Sequence, residues 1–255
     1  MKVFRAALLA VALLFTHALA HAEILTVAVA ANMKFVFGDL AAVFTKESGI
    51  AIQPVYNSSG KLVAQVREGA PYDVFLAADM EFPAKLVESG QAAAKPEIYA
   101  YGKLVLWTLN DKLDLGSLAV LRDARVRKIA IANPKVAPYG RLAMNVVHGI
   151  ANNHGKSPSA DIMSKLVYAE DIAQVAMLVD SGNADVGLTA KSLLMSSENA
   201  RRGYWMDIPG DEVAQGAVIL KYGQSKHGEA ARKFYDFLYS ARARAILEKF
   251  GYGLP

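Results

Sequence analysis

The apolar positions of this chain repeat one pattern: a short unbroken apolar run, a small-residue turn, then apolar positions at helical spacing. The first block is the clearest. Ile24, Leu25, Val27 and Val29 form the run, Ala30-Ala31-Asn32 form the turn, and Phe35, Val36, Leu40, Val43 and Phe44 then recur every three or four residues until Gly49. Such a run is expected for a parallel strand covered on both faces. The pattern predicts a strand over the run from Ile24 to Val29, the small-residue turn Ala30–Asn32 and a helix from about Met33 to Ser48. That helix begins at the carboxyl end of a buried strand, where its first amide N–H groups lack partners and its dipole favours anions.

The same blocks continue along the chain. Ile50–Tyr56 predicts a second strand, Asn57-Ser58-Ser59-Gly60 a turn, and Lys61–Glu68 a short helix. Val74–Ala77 predicts a third strand, followed by a helical stretch to Ser89-Gly90. Residues 23–90 thus read βαβαβα, which argues for a parallel sheet with helices on both faces. Ile98–Tyr101 and Leu104–Leu109, separated by Gly102-Lys103, predict strands crossing out of this first lobe. A second, more broken set follows: strand Lys128–Ala132, the turn Asn133–Gly140, a helix from Arg141 to His148 and a loop over Ala151–Pro158. Asp161–Tyr168 fits either element. Glu170-Asp171 caps a helix over Ile172–Val179, and Val186–Thr189 is strand-like. Val213–Tyr222 returns as a β-type run, and Glu229–Phe250 predicts a long amphipathic helical region. Two crossings, near 98–106 and 205–220, divide the chain into lobe 1 (23–100 and 206–255) and lobe 2 (101–205).

Composition changes the picture at the amino end. Lys2 and Arg5, the apolar run Ala6–Phe15 and the small residues Ala18, Ala20 and Ala22 read as a signal peptide over residues 1–22, cut after Ala22 or, second, after Ala20. The run is about half the ~20 residues needed to span a bilayer, which disfavours an anchor. Losing Lys2 and Arg5 lowers the net charge of +4 by two, leaving a nearly neutral mature chain without a basic run and without a nucleic-acid footprint. With 53% hydrophobic residues and no cysteine, the fold rests on core burial, and no cysteine is available for lipid attachment. A soluble periplasmic protein is the expectation.

Enzyme chemistry is poorly represented. Gly60-Lys61 resembles the end of a phosphate loop, but Val55 and Leu62 stand where glycine and a hydroxyl residue are required. There is no nucleophile elbow and no strand-borne dinucleotide fingerprint. His148, His154 and His227 are scattered and read as solvated or capping residues, and Asp73, Asp79, Asp39 and Glu47 as surface or turn carboxylates. An α/β hydrolase remains the weaker alternative, for want of a nucleophile–base pair.

What remains is a set of neutral, donor-rich loops at strand ends. Asn32 offers an amide, Ser58 and Ser59 offer hydroxyls and amides, Tyr139 a phenol and an amide, and Ile172 a helix-terminal N–H. Such donors suit a fully ionised tetrahedral oxyanion, which needs no acceptor. Plainer roles stand beside this one: serines as N-caps, Asn32 as a turn residue, Tyr139 as a core aromatic, and Lys34, Lys61, Lys135 and Lys191 as a solvated face.

Four segments, in this order, carry a resemblance: Val27–Asn32, Tyr56–Leu62, Gly69–Asp79 and Ile131–Gly140. Together they resemble the periplasmic molybdate-binding proteins of ABC uptake systems over essentially the whole mature chain. The resemblance implies an α/β, two-lobed periplasmic-binding-protein fold of type II, its parallel-sheet lobes joined by a two-strand hinge. It implies capture of molybdate or tungstate, delivery to a membrane permease, a monomer, no cofactor and no catalytic residue. It places the oxyanion on Asn32, Ser59, Tyr139 and Ile172, with Met33 and Ser58 adding donors and no direct metal ligand. Sulfate or thiosulfate is the alternative cargo. Many members have serine at the position of Asn32 and tyrosine at that of Ala190; here Asn32 and Tyr139 are expected to take over those roles.

Overall fold

The computed structural model describes residues 23–152, 160–195 and 203–255; the expected signal peptide, His154 and part of the 151–158 loop lie outside them. Eight strands are hydrogen-bonded in the order β2-β1-β3-β8-β4-β7-β5-β6. Their ranges are β1 Ile24–Ala30, β2 Ala51–Asn57, β3 Val74–Leu76, β4 Glu97–Thr108, β5 Ile129–Ala132, β6 Leu166–Ala169, β7 Val186–Ala190 and β8 Tyr204–Ile219. Read from one edge the order is 2-1-3-8-4, and from the other 6-5-7-4-8. The same plan is therefore built twice, and the long strands β4 and β8 belong to both halves.

Within each half the short strands are parallel: β1 with β2 and β3, β5 with β6 and β7. The long strands enter antiparallel, β8 against β3 and β4 against β7. Each lobe is therefore a mixed sheet rather than the parallel one expected, because the chain must return through the hinge. β4 and β8 pair with each other from Glu97↔Ala217 to Thr108↔Tyr204, with irregularities at Ile98/Ala100 and Lys103/Val105.

The helices follow the expected apolar spacing, with differences at several ends. The first helix, α1 Val36–Ser48, is preceded by a separate 3-10 turn over Ala31–Met33, closed by Lys34 N–H on Ala31 O, so Asn32 sits in a tight turn of its own. Gly49 ends α1 with φ of 74°, a conformation glycine adopts without steric cost. α2 (Ser59–Arg67) and α3 (Glu81–Glu88) follow. The next helix, α4 Pro138–Asn152, starts three residues earlier than expected, since proline at the first helical position costs no hydrogen bond. The ambiguous Asp161–Tyr168 divides into α5 Ala160–Ser164 and β6. After α6 Ile172–Asp180 and the short α7 Lys191–Leu194, the carboxyl-terminal region is α8 Lys221–Phe237, kinked at His227, where the backbone leaves the helical region, and α9 Ala241–Lys249. They part at Ser240, whose Oγ accepts the Ala243 N–H at 3.2 Å and caps α9. Among the described residues no helix is long and apolar enough to cross a membrane.

Each lobe has its own core. In lobe 1, Phe37, Phe44 and Phe234 meet edge to face on one side of the sheet, and Leu62, Phe75 and Leu86 fill the other. In lobe 2, Trp107, Ile131, Val175 and Leu188 occupy the centre. Asp73 and Asp79 are the buried carboxylates among the described residues, and Asp73 is the deeper. Asp73 is 1% exposed; its carboxylate accepts the Thr26 N–H at 2.7 Å and lies 2.8 Å from His227 Nδ1. Asp73 is buried rather than at the surface, and His227, still partly exposed, is its partner; a pairing across 154 positions leaves no local trace. Asp73→Ala is expected to cost about 3 kcal/mol by orphaning these partners, lowering Tm by about 10 °C in thermal denaturation.

Candidate functional site

Asn32, Ser58, Ser59, Tyr139 and Ile172 line one small cavity of about 10 Å³, together with four alanines at 30, 31, 78 and 137 and Pro138. Five of the six residues singled out from sequence are thus brought together. Three are at helix starts: Ser59 and Ile172 are the first residues of α2 and α6, and Tyr139 is the second of α4. Their N–H groups belong to the first turn, which has no intrahelical acceptor. The cap of α6 leaves Ile172 aside: Asp171 Oδ1 accepts from Ala173 N–H at 2.8 Å and Gln174 N–H at 3.0 Å. No charged side chain is part of the lining.

The serines do not act as caps. Ser58 holds the N-cap position of α2 without a side-chain cap bond, and its buried Oγ has no partner. Ser59 Oγ accepts the Ala78 N–H at 3.0 Å, which fixes the hydroxyl and leaves its own proton to donate. Met33, the sixth residue, is not in the lining; it is buried in the lobe 1 core with Sδ 3.0 Å from Tyr99 Oη. Ala190 is buried outside the lining and offers no hydroxyl.

Behind the cavity lies a polar network that sequence reading missed. Gln215 on β8 is fully buried. Its Oε1 accepts from Tyr99 Oη at 2.8 Å and Asn32 Nδ2 at 3.0 Å, and its Nε2 donates to Tyr139 Oη at 3.0 Å. Asn32 Nδ2 also donates to Tyr252 Oη at 2.8 Å, and Asn32 O accepts from Ser192 Oγ at 2.9 Å. Burial pushes the Tyr99, Tyr139 and Tyr252 hydroxyls above the ordinary phenol range, so all three keep their protons. Asn32 Oδ1 is buried and unpartnered. One sequence signal existed: Gln215 is the lone polar side chain in the run Val213–Leu220, beside Gly216.

The rim is ionic. Asp79, 7% exposed, pairs with Arg141, whose guanidinium also lies 3.3 Å from Glu81 and 5.0 Å from the Phe82 ring centroid. Burial pushes the Asp79 carboxyl up, opposed by the Phe82 N–H bond and by Arg141. Asp79 therefore has the tuning partner that the sequence did not reveal. Lys61 pairs with Glu170 at 2.5 Å, and Gly60 N–H donates to Val136 O at 2.9 Å. Each of these contacts joins one lobe to the other, so the lobes are closed over the cavity. Among the described residues no group of three or more His, Cys, Asp or Glu could hold a metal ion.

Residues 25–253 match the family of bacterial extracellular solute-binding proteins. The chain belongs to that family. Among curated solute-binding relatives, the molybdate-binding protein ModA of Azotobacter vinelandii is 36% identical over 239 residues, covering 92% of this chain and 92% of the relative. ModA of Rhodobacter capsulatus is 36% identical over 229 residues, covering 88% and 86%. The solved periplasmic molybdate-binding protein of Azotobacter vinelandii superposes with a TM-score of 0.82 at 32% identity, covering 91% of this chain and 99% of that one. The double lobe and two-strand hinge of this solute-binding protein are thus a shared architecture, type II among periplasmic binding folds.

Proposed function

We propose that the protein captures molybdate, with tungstate as a close analogue, and delivers it to the permease of an ABC importer. The observation that carries this reading is the closed cavity: uncharged donors from three helix starts, two serine hydroxyls and no charged group in the wall. A bare dianion accepts from all of them, and charge-assisted bonds strengthen each contact. The unpartnered Ser58 Oγ is a polar atom that such a ligand would satisfy. The curated relatives named for molybdate support the choice of cargo. In this reading Asn32, Ser58, Ser59, Tyr139 and Ile172 hold the ion, with Met33 completing the turn that carries Asn32. Residues 23–100 and 206–255 act as one lobe and 101–205 as the other. The protein works as a periplasmic monomer, exported by residues 1–22, without cofactor, nucleic acid or catalytic step.

A titration tests this. Molybdate, tungstate, sulfate and phosphate are added to the mature protein while tryptophan fluorescence and Tm are followed. Ligand at about 100 times its Kd is expected to add about 2.7 kcal/mol to stability. Molybdate and tungstate should raise Tm by several degrees, and phosphate, which carries a proton, should not. A response to sulfate alone would transfer the protein to sulfate or thiosulfate.

A further inference from the structure

Asn32 presents a difficulty for an anion site. Both protons of its Nδ2 are spent, on Gln215 Oε1 and Tyr252 Oη, while the buried Oδ1 of this lining residue has no partner. A carbonyl oxygen repels an anion, and an unsatisfied buried acceptor is costly. Turning the Asn32 amide alone would set its oxygen against Gln215 Oε1, two acceptors face to face. The two amides can therefore turn only together.

Resting on the oxyanion reading, we propose that Gln215 is a positioning residue whose amide, turning in concert with that of Asn32, decides whether Asn32 shows the cavity an oxygen or an N–H group. With both turned, Gln215 Nε2 donates to Asn32 Oδ1 and Tyr99 Oη, and Gln215 Oε1 accepts the Tyr139 proton. Tyr99 donates to Ala77 O, already 3.3 Å away, and Tyr252 donates to Asn32 Oδ1. Every amide atom but Asn32 Nδ2 is then paired within the protein; Nδ2 is left to the anion, which Tyr139 meets through its backbone N–H rather than its phenol. Gln215 stands on a hinge strand and touches Asn32 of lobe 1 and Tyr139 of lobe 2, so lobe closure and amide orientation are set by one side chain.

Two variants test this, read by molybdate Kd from pH 6 to 8.5 with Tm as a check on folding. Gln215→Glu can only accept when ionised and holds Asn32 with its oxygen toward the cavity; once protonated it can donate again. Its affinity is expected to fall about tenfold per pH unit above the pKa of that carboxyl and to return toward wild type below it, while wild type stays flat. Gln215→Met removes the amide without adding charge and is expected to bind at least tenfold more weakly at every pH. A Met variant binding within threefold of wild type overturns the proposal, because charge repulsion alone would then account for the Glu variant. A pH-independent Glu variant overturns it as well. Should the Met variant fail to fold, the Glu variant decides alone: recovery at low pH supports the positioning role and no recovery overturns it. If wild type binds none of the four anions, the oxyanion reading fails instead, and the two failures are distinguishable.

Discussion

Gly102→Ala is expected to weaken anion binding at least 30-fold and to lower Tm by about 10 °C. A β-carbon at Gly102 would lie 2.0 Å from Tyr139 Oη and 2.1 Å from Gln215 Nε2, inside any permitted contact. Backbone relief is unavailable, because Gly102 is paired with Val213 within the hinge ladder. Tyr139 and Gln215 must therefore separate, breaking the bond that joins lobe 2 to the hinge. Overpacking of this kind costs about 1–3 kcal/mol, and the orphaned buried groups add about 1–3 kcal/mol. The sum, about 2–6 kcal/mol, sets the loss of Tm; the part that falls on the closed form, about 2 kcal/mol or more, lowers affinity by at least about 30-fold. A second substitution checks the cause: Tyr139→Phe in the Gly102→Ala background removes the nearest obstructing atom and should return part of the lost Tm. An unchanged Kd and Tm for Gly102→Ala would show that the network tolerates the methyl group.

Arg141→Ala is expected to weaken anion binding by about 30-fold by favouring the open lobes. In the closed form it strands the Asp79 carboxylate, which is nearly buried; opening lets water reach it. Losing a fully buried partner costs about 3–5 kcal/mol, and the partial exposure of Arg141 reduces this to about 2 kcal/mol. The sign of the pH dependence follows. The Asp79 carboxyl is already raised by burial, and removing Arg141 raises it further. The closed form then holds a proton that the open form has released, so closure weakens as pH rises through that range. The deficit should be largest at neutral pH and shrink as pH falls toward the ordinary carboxylate range. Asp79→Asn combined with Arg141→Ala removes the stranded charge and should recover most of the affinity. Stopped-flow dissociation of molybdate provides the measurement; equal off-rates for wild type and Arg141→Ala would contradict the role.

The elements that create the cavity were legible because each depends on local pattern. An apolar run, a small turn and a helical period placed Asn32, Ser59, Tyr139 and Ile172 at strand ends, and the sheet order brings those ends together. The supports of the site were not legible, because they are partners far apart in sequence. Gln215 lies 183 positions from Asn32, and Tyr252 lies 220. A lone glutamine in a strand reads as an edge residue until its neighbours are known. Arg141 follows the Pro-Tyr-Gly turn by one residue, yet its charge is directed to Asp79, 62 positions away, rather than to the cavity. Ser240 was hidden differently: the apolar period runs on through it, and only its cap bond divides α8 from α9.

Tyr252 has a consequence for how distant parts of the chain depend on one another. Its phenol reaches the turn holding Asn32, and Gly253 bridges back to Tyr101, so the segment after α9 closes the central network from 220 positions away. The parallel strands of both halves pair without any help from this strut. Loosening Tyr252 therefore slackens the hold on the Asn32 turn while leaving the frame of the sheet in place.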